Sequence, residues 1–342
     1  MIFLSIVIPA FNSQNTIGSL LKSIRSSKGV KFNEIEVIVV DDRSEDNTDE
    51  KVLKFIKFVK FIKLKENSGP AKARNIGVKY ARGKVVLFLD ADVVLYKNSL
   101  VEVINSFKSD PDMFALTGVW SKEQRNHKFF PKFKALRDWS YWINERDPKN
   151  YYYLFSTRVA AIERKLFLRL GGFDTTYKAA LIEDIELTYR IARRYAVVFN
   201  PKVKVRHEFE DFRPIAKKYF WRSFYWSKLY RERKKFDPVA TTGKEALTTL
   251  SAGLLIILFI LYSAARFTIY DLRFMNISVT YLILESLILI LAVHLWGVRK
   301  FLIFAAREEG VVFALKSFFT GIFLYLVILA GALYSMVNSG RV

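Results

Sequence analysis

The chain has 342 residues, long enough for more than one domain, and its 54 Lys and Arg against 33 Asp and Glu give a formal net charge of +21. It contains no cysteine, which excludes disulfides and cysteine-ligated metal sites and agrees with a cytoplasmic domain. Charge of this sign suits nucleic acid or anionic lipid. No nucleic-acid-binding motif accompanies it, and its densest cluster abuts an apolar stretch, so lipid headgroups are the expected partner.

The opening run IFLSIVIPAFN has strand length and closes at Pro9. It is too short for a signal peptide and lacks a basic flank and a small-residue cleavage site. Asn12 and Ser13 are placed to cap a helix predicted over residues 16–26. A second apolar strand, EIEVIVV, ends in Asp41 and Asp42 and leads to a helix near residues 46–55. A third, FVKFIKL, stops at ENSGPAKARNIG, where Gly69 and Pro70 make a turn before a helix over residues 71–80. The lysines at 51, 54, 57, 60 and 63 recur every three residues, which fits neither one helix face nor one strand face, and read as a helix passing into a strand with solvated lysines. Next comes LFLDADVV, an apolar strand ending in Asp90 and Asp92. YYYLFSTRVAAIERKLF, from Tyr151, predicts a strand–helix unit before GGFD; DIELTYRIARR predicts a helix starting at Asp184; VKVRHEF predicts a strand bearing His207.

Apolar strands alternating with helices predict an α/β domain with a mixed, mostly parallel sheet covered on both faces, whose ligand crevice lies beyond the carboxyl ends of its strands. Phe11, Asp42, the 67–74 segment, Asp90 and Asp92 all fall at those ends. Asp90 and Asp92, one residue apart, are expected on one side of the strand, where Mg²⁺ or Mn²⁺ would take carboxylate and phosphate oxygens.

In this order and spacing, IVIPAFN, VVDDRSEDNT, NSGPAKARNIG, LFLDADVV, GGFD and IEDIEL resemble the family 2 glycosyltransferases with the GT-A (Rossmann-like) fold, which include dolichyl-phosphate mannose synthase-like enzymes. The resemblance covers about residues 1–210. It implies that Pro9, Ala10, Phe11 and Asp42 bind the nucleotide, Arg74 lies near the diphosphate, Asp90 sits beside ribose or metal, Asp92 binds the metal, and Asp184 is the catalytic base. Glu183, Arg222 and Trp226 would lie toward the acceptor or diphosphate; the aromatic-rich 151–167 segment reads as an acceptor-side wall, with core packing as its alternative. Donors would be GDP-mannose or a UDP-sugar.

The chemistry needs these residue types. Displacing a nucleoside diphosphate builds negative charge on the leaving phosphate, which a metal and preorganised cations stabilise. A carboxylate opposite the leaving group can take the acceptor proton, worth roughly 10²–10⁴ in rate, and attack from that side inverts the anomeric carbon. Asp184 reads equally as a plain helix N-cap, and Glu183 and Glu186 as supporting or solvated. His207 reads equally as a metal or phosphate ligand or as a strand-end imidazole satisfied by backbone; His127 reads as exposed.

From about residue 246 the composition changes. Residues 246–265 and 317–337 carry no charge, and residues 277–298 carry only Glu285 and His294, so three membrane spans are predicted. Glu285 should face another span, a water-filled groove or a partner subunit, which allows a homo-oligomer through this region. The basic residues from Arg213 to Lys244 and from Arg299 to Lys316 belong on the cytoplasmic side; Arg266, Arg273 and Arg341 are the few basic residues of the outer side, which leaves the C-terminus outside. Residues 211–245 read as an amphipathic interfacial linker with Phe220, Trp221, Phe224, Tyr225 and Trp226 toward headgroups. A second amphipathic piece is predicted between the last two spans. Arg222 and Trp226 only loosely match the Gln-x-x-Arg-Trp pattern of processive synthases. The sequence therefore reads as an inverting, metal-dependent transferase passing a sugar to a membrane-presented lipid or lipid-linked acceptor, with a processive polysaccharide synthase or a silent nucleotide-binding scaffold as the alternatives.

Overall fold

The structure, a computed structural model, describes residues 1–145, 153–176, 182–237, 242–271 and 277–338. It divides into two compact units, Met1–Trp142 with Arg146–Glu210, and Ile143–Glu145 with Asp211–Val342.

The first unit runs β1 (Leu4–Ala10), α1 (Ile17–Arg25), β2 (Ile35–Asp41), α2 (Thr48–Leu53), β3 (Val59–Lys63), α3 (Pro70–Tyr80), β4 (Val85–Leu89), β5 (Val93–Leu95), α4 (Ser99–Ser109), β6 (Ala115–Trp120), α5 (Phe129–Ser140), β7 (Val159–Glu163), α6 (Arg164–Arg169), α7 (Glu183–Ile191) and β8 (Val197–His207). One eight-stranded sheet has the order β3-β2-β1-β4-β7-β6-β8-β5. β1 is parallel to β2 and β4, and β2 to β3, whereas β7 runs antiparallel to β4 and β6. Every residue of β1 and β4 is buried, as expected for central parallel strands covered on both faces. Strand order turns back at β1, and ligands of such sheets bind beyond the carboxyl ends at that point. The helix α3 lies close against β1 because Gly77 has no side chain: a Cβ there would come within 2.4 Å of Val7 Cγ1.

One local expectation changes in this unit. Asn12 and Ser13 do not cap α1 with their side chains; Asn12 Oδ1 accepts from the Glu45 N–H at 2.9 Å and the Ser13 hydroxyl donates to the Phe11 carbonyl at 3.1 Å. The first of these bonds ties the loop after β1 to the loop after β2. Both loops contain a residue in the left-handed region, Asn12 at φ 49° and Arg43 at φ 61°, a conformation costly for a side chain as long as arginine and one that clusters at functional sites.

The second unit holds α8 (Phe212–Arg233), α9 (Gly243–Asp271), α10 (Ile277–Glu309) and α11 (Val311–Val337). Three stretches, Gly243–Ala265, Val279–Glu309 and Val311–Val337, are long and apolar enough to cross a membrane. The separate amphipathic piece expected between the last two is absent: α10 continues to Glu309, Gly310 at φ 88° makes the break, and α11 starts at once. Nor does α8 turn all its aromatics outward. Phe224 is buried, and Phe220, Trp221 and Phe224 place their rings 5.7, 6.4 and 5.8 Å from that of Tyr334 on α11. Gly331 permits this approach, since a Cβ there would lie 2.2 Å from the Phe220 carbonyl oxygen. Between α9 and α10, His294 is fully buried with Nδ1 3.2 Å from the Thr248 carbonyl and 3.0 Å from the Ser251 hydroxyl.

Candidate active site

At the end of β2, Asp42 is buried and accepts from the Ser68 and Gly69 N–H groups, one on each oxygen, both at 2.8 Å. Gly69 adopts φ 86° and Pro70 opens α3, so the carboxylate fixes the turn that launches the helix. Burial pushes the Asp42 carboxyl up against the pull of those N–H groups, and neighbouring Asp41 adds to the rise. Of the expected nucleotide residues, Pro9 and Ala10 are buried in β1 and Phe11, just past it, is exposed. Asp42 and Phe11 therefore flank the same crevice at adjacent strand ends.

Arg74 does not reach into open space. It is buried and bridges two carboxylates, donating from Nη2 to Asp90 at 2.7 Å and from Nη1 to Glu183 at 2.9 Å. Burial works against its charge, and Asp90, Glu183 and Asp184 outweigh it and hold the guanidinium ionised. Glu183 is accordingly a buried supporting residue, not a solvated one. The neighbouring Glu186 pairs with Arg190 one turn on. Asp184 is not the N-cap of α7: Ile182 holds that position and Asp184 lies inside the first turn, where its Oδ1 accepts from the Ile185 N–H at 2.9 Å. This frees the residue from the capping alternative and leaves its carboxylate beside the Arg74 bridge.

The two aspartates of the LFLDADVV strand also separate. β4 ends at Leu89, so Asp90 and Asp92 lie in a turn and not on one strand face. Asp90 goes to Arg74; Asp92 Oδ2 meets His207 Nε2 at 3.3 Å. β5 pairs with β8 in a register that sets Val93 opposite His207, which brings these two together. Among the described residues no three His, Cys, Asp or Glu side chains converge. One carboxylate and one imidazole at a single point still fit Mn²⁺ or Mg²⁺ when phosphate oxygens complete the shell.

Beside His207 lies a group that the sequence did not single out. Its ring is 4.4 Å from that of Phe209, and Phe209 is flanked by Lys134 Nζ at 5.0 Å and the Arg158 guanidinium at 5.7 Å. Both cations address Asp138: Lys134 from one turn away on α5, and Arg158 Nη1 at 3.4 Å. Arg158 also stacks over Trp120 at 4.5 Å. Burial works against the Asp138 charge, but Lys134 and Arg158 hold its carboxyl below the usual range. Val159 pairs with Leu89, so Arg158 stands at the same sheet edge as Asp90. The i,i+4 spacing of Lys134 and Asp138 was the available signal; Arg158 and Phe209 carry none. Arg222 and Trp226 lie on α8 in the second unit, half-buried. Tyr151 and Tyr152 lie outside the described residues.

Residues 5–171 match the family model described as Glycosyl transferase family 2. This is a family 2 glycosyltransferase domain. Over 117 residues the chain is 32% identical to poly-beta-1,6-N-acetyl-D-glucosamine synthase of Staphylococcus aureus (strain MSSA476), a match spanning 34% of this chain and 28% of the synthase. An uncharacterized glycosyltransferase of Rickettsia prowazekii (strain Madrid E) is 26% identical over 208 residues, covering 59% of this chain and 62% of its own length. Among solved structures, the mannosyltransferase PcManGT from Pyrobaculum calidifontis, in complex with GDP-Man and Mn²⁺, superposes with a TM-score of 0.58 at 18% identity, covering 97% of this chain and 86% of its own. That likeness establishes the GT-A fold, which in this chain is followed by three candidate transmembrane helices.

Proposed function

We propose that this glycosyltransferase moves a sugar, with inversion, from a nucleotide-sugar donor to a lipid or lipid-linked acceptor presented at the membrane. The observation that carries the reading is the gathering of Phe11, Asp42 and Asp90 just past the carboxyl ends of the neighbouring strands β1, β2 and β4, with the Asp92–His207 pair following Asp90 and Asp184 beside the Arg74 bridge, in a chain with three apolar helices. Asp42 keeps lone pairs beyond the two it gives to the 68–69 turn and accepts from the nucleotide base. Asp184 takes the acceptor proton, and Arg74 holds Asp90 and Glu183 so that the crevice keeps its shape. Asp92 and His207 would hold a Mg²⁺ or Mn²⁺ ion, which when bound supplies positive charge to the departing diphosphate.

The donor is a GDP- or UDP-sugar. GDP-mannose is favoured by the overall likeness to a mannosyltransferase solved with that donor, and a UDP-sugar by the local match to an N-acetylglucosamine polymer synthase. The same local match favours processive synthesis as a second reading. We place the transferase domain on the cytoplasmic side and the C-terminus outside, from the basic residues between 213 and 244 and between 299 and 316. Arg273 and Arg341 lie outside the described residues, as does the Arg266 side chain. Against that placement stands the Arg231 guanidinium, which donates to the Ser335 carbonyl and hydroxyl at 3.0 and 2.9 Å and so holds the basic end of α8 near the end of α11 that this topology sets outside.

The test is turnover by the purified full-length chain of radiolabelled GDP-mannose, UDP-glucose and UDP-N-acetylglucosamine with polyprenyl phosphate or membrane lipid extract. A single-sugar lipid product that disappears with chelator and returns with Mn²⁺ is expected. A long polymer would favour the processive reading, undiminished turnover in excess chelator would remove the metal, and no turnover with any donor would favour a silent scaffold.

A further inference from the structure

We infer that two copies of this chain associate side by side through the outer face of α10, with the Glu285 carboxyls of the two copies bonded to each other at the centre of the contact. Glu285 sits in the most apolar part of the chain, about 12 Å along the helix from Ile277 and about 21 Å from Arg299 at 1.5 Å per residue, well inside the thickness of a bilayer's hydrocarbon layer. An ionisable side chain there needs a partner. Its own chain supplies none among the described residues: Glu285 is exposed, outside the contact that α10 makes with α9 and α11. That internal contact uses His294, Gly297, Val298, Phe301 and Ala305, all buried. Of the three surroundings the sequence allowed, neither another span of the same chain nor a groove within it supplies the partner among the described residues.

What remains is a neighbouring molecule, and the geometry points to a second copy. Leu282, Glu285, Leu289, Ala292, Trp296 and Arg299 are all exposed and follow alternating steps of three and four, the spacing that lets two like helices pack along a continuous seam at a shallow left-handed crossing. A two-fold contact sets each seam residue near its own counterpart. A carboxyl group suits that position because it is both donor and acceptor: one O–H donates to the other's oxygen, and no foreign cation is required. Ala292 lets the backbones approach two turns further on. At the end of the seam the Arg299 guanidinium stacks 5.0 Å over Trp296, an aromatic and basic pair suited to the membrane–water boundary.

The absence of native cysteine gives a clean test. Leu289→Cys and Ala292→Cys, placed singly in the full-length chain in liposomes, should form a disulfide-linked dimer on mild oxidation, while Ile260→Cys, exposed on α9, should not. In detergent, the dimer dissociation constant read by fluorescence energy transfer between labelled copies should rise about 3- to 15-fold for Glu285→Leu, the range that interhelical hydrogen bonds in membranes give, and change little for Glu285→Gln. Equal cross-linking at position 260, a monomeric parent chain, or an unchanged constant in Glu285→Leu would overturn the proposal. So would a seam cysteine that cross-links in native membranes only to another protein. Retained nucleotide binding by each variant shows that the chain is folded, and none of these readouts depends on which sugar is transferred.

Discussion

Replacing Arg74 by Met removes one guanidinium and strands two carboxylates. The side chains of Arg74 and Glu183 are 2% and 3% exposed, so water cannot take over the lost bond, and breaking such a buried pair costs about 3–5 kcal/mol. Asp90, at 27% exposure, can rehydrate and adds little. For a domain of this size 1 kcal/mol corresponds to about 2–4 °C, so the melting temperature should fall by about 6–20 °C. Scanning fluorimetry of the full chain in detergent measures it, with Arg82→Met as the comparison. Arg82 also bonds a glutamate, Glu36, but its side chain is 74% exposed, and such pairs contribute about 1 kcal/mol or less. An Arg74→Met melt no lower than that of Arg82→Met would refute the view that the bridge holds the crevice together.

Four further outcomes are expected. Asp184→Asn should keep donor affinity and lower transfer by roughly 10² or more at saturating substrate; collapse of donor binding with normal transfer would assign Asp184 to the donor site instead. Arg158→Gln should weaken pyrophosphate binding, read by calorimetry, by about fivefold or more, and an unchanged affinity would reduce the cluster to a structural one. The Asp138 carboxyl is held below its ordinary range, so its contribution to stability is complete above about pH 4 and is lost as the pH falls further; an acid titration of Asp138→Asn should lack that part of the unfolding, and a curve parallel to the parent's would count against it. Gly331→Leu should cost about 1–3 kcal/mol by forcing α8 off α11, detectable as proteolysis near residue 211; an unaltered digestion pattern would mean that the helices repack around the larger side chain.

What the sequence made legible follows from the range over which each interaction acts. Buried parallel strands announce themselves because both faces must be apolar, so β1, β2 and β4 and the polar residues just past them could be read directly. Chain ends of elements could not. The alternation argument for Asp90 and Asp92 assumed that the strand continued, but it stops at Leu89 and sends the two carboxylates to Arg74 and His207. The capping alternative for Asp184 failed because α7 begins one residue earlier than the charged run suggested. In α8 the aromatic face was visible, yet a lipid headgroup and another helix impose the same pattern; the small residues Gly331 and Ser335 on α11 were the sign that a helix, not lipid alone, would cover it.

The distribution of charge explains why the residues outside the recognised motifs matter. In the motif-based reading Arg74 lay near the diphosphate, but its guanidinium is already shared by Asp90 and Glu183, with Asp184 nearby. Taken alone that group is negative by two units, three carboxylates against one guanidinium, and would repel a diphosphate. Transfer as proposed therefore needs positive charge from elsewhere at the same sheet edge. The Asp92 and His207 pair can contribute it through a bound ion, and the Lys134, Asp138 and Arg158 group carries one net positive charge, held on the Phe209 ring beside His207. In the proposed reading a bound ion and Arg158 would serve the leaving diphosphate and the Asp184 carboxylate the acceptor hydroxyl, a division of charge that moving a sugar from one to the other requires.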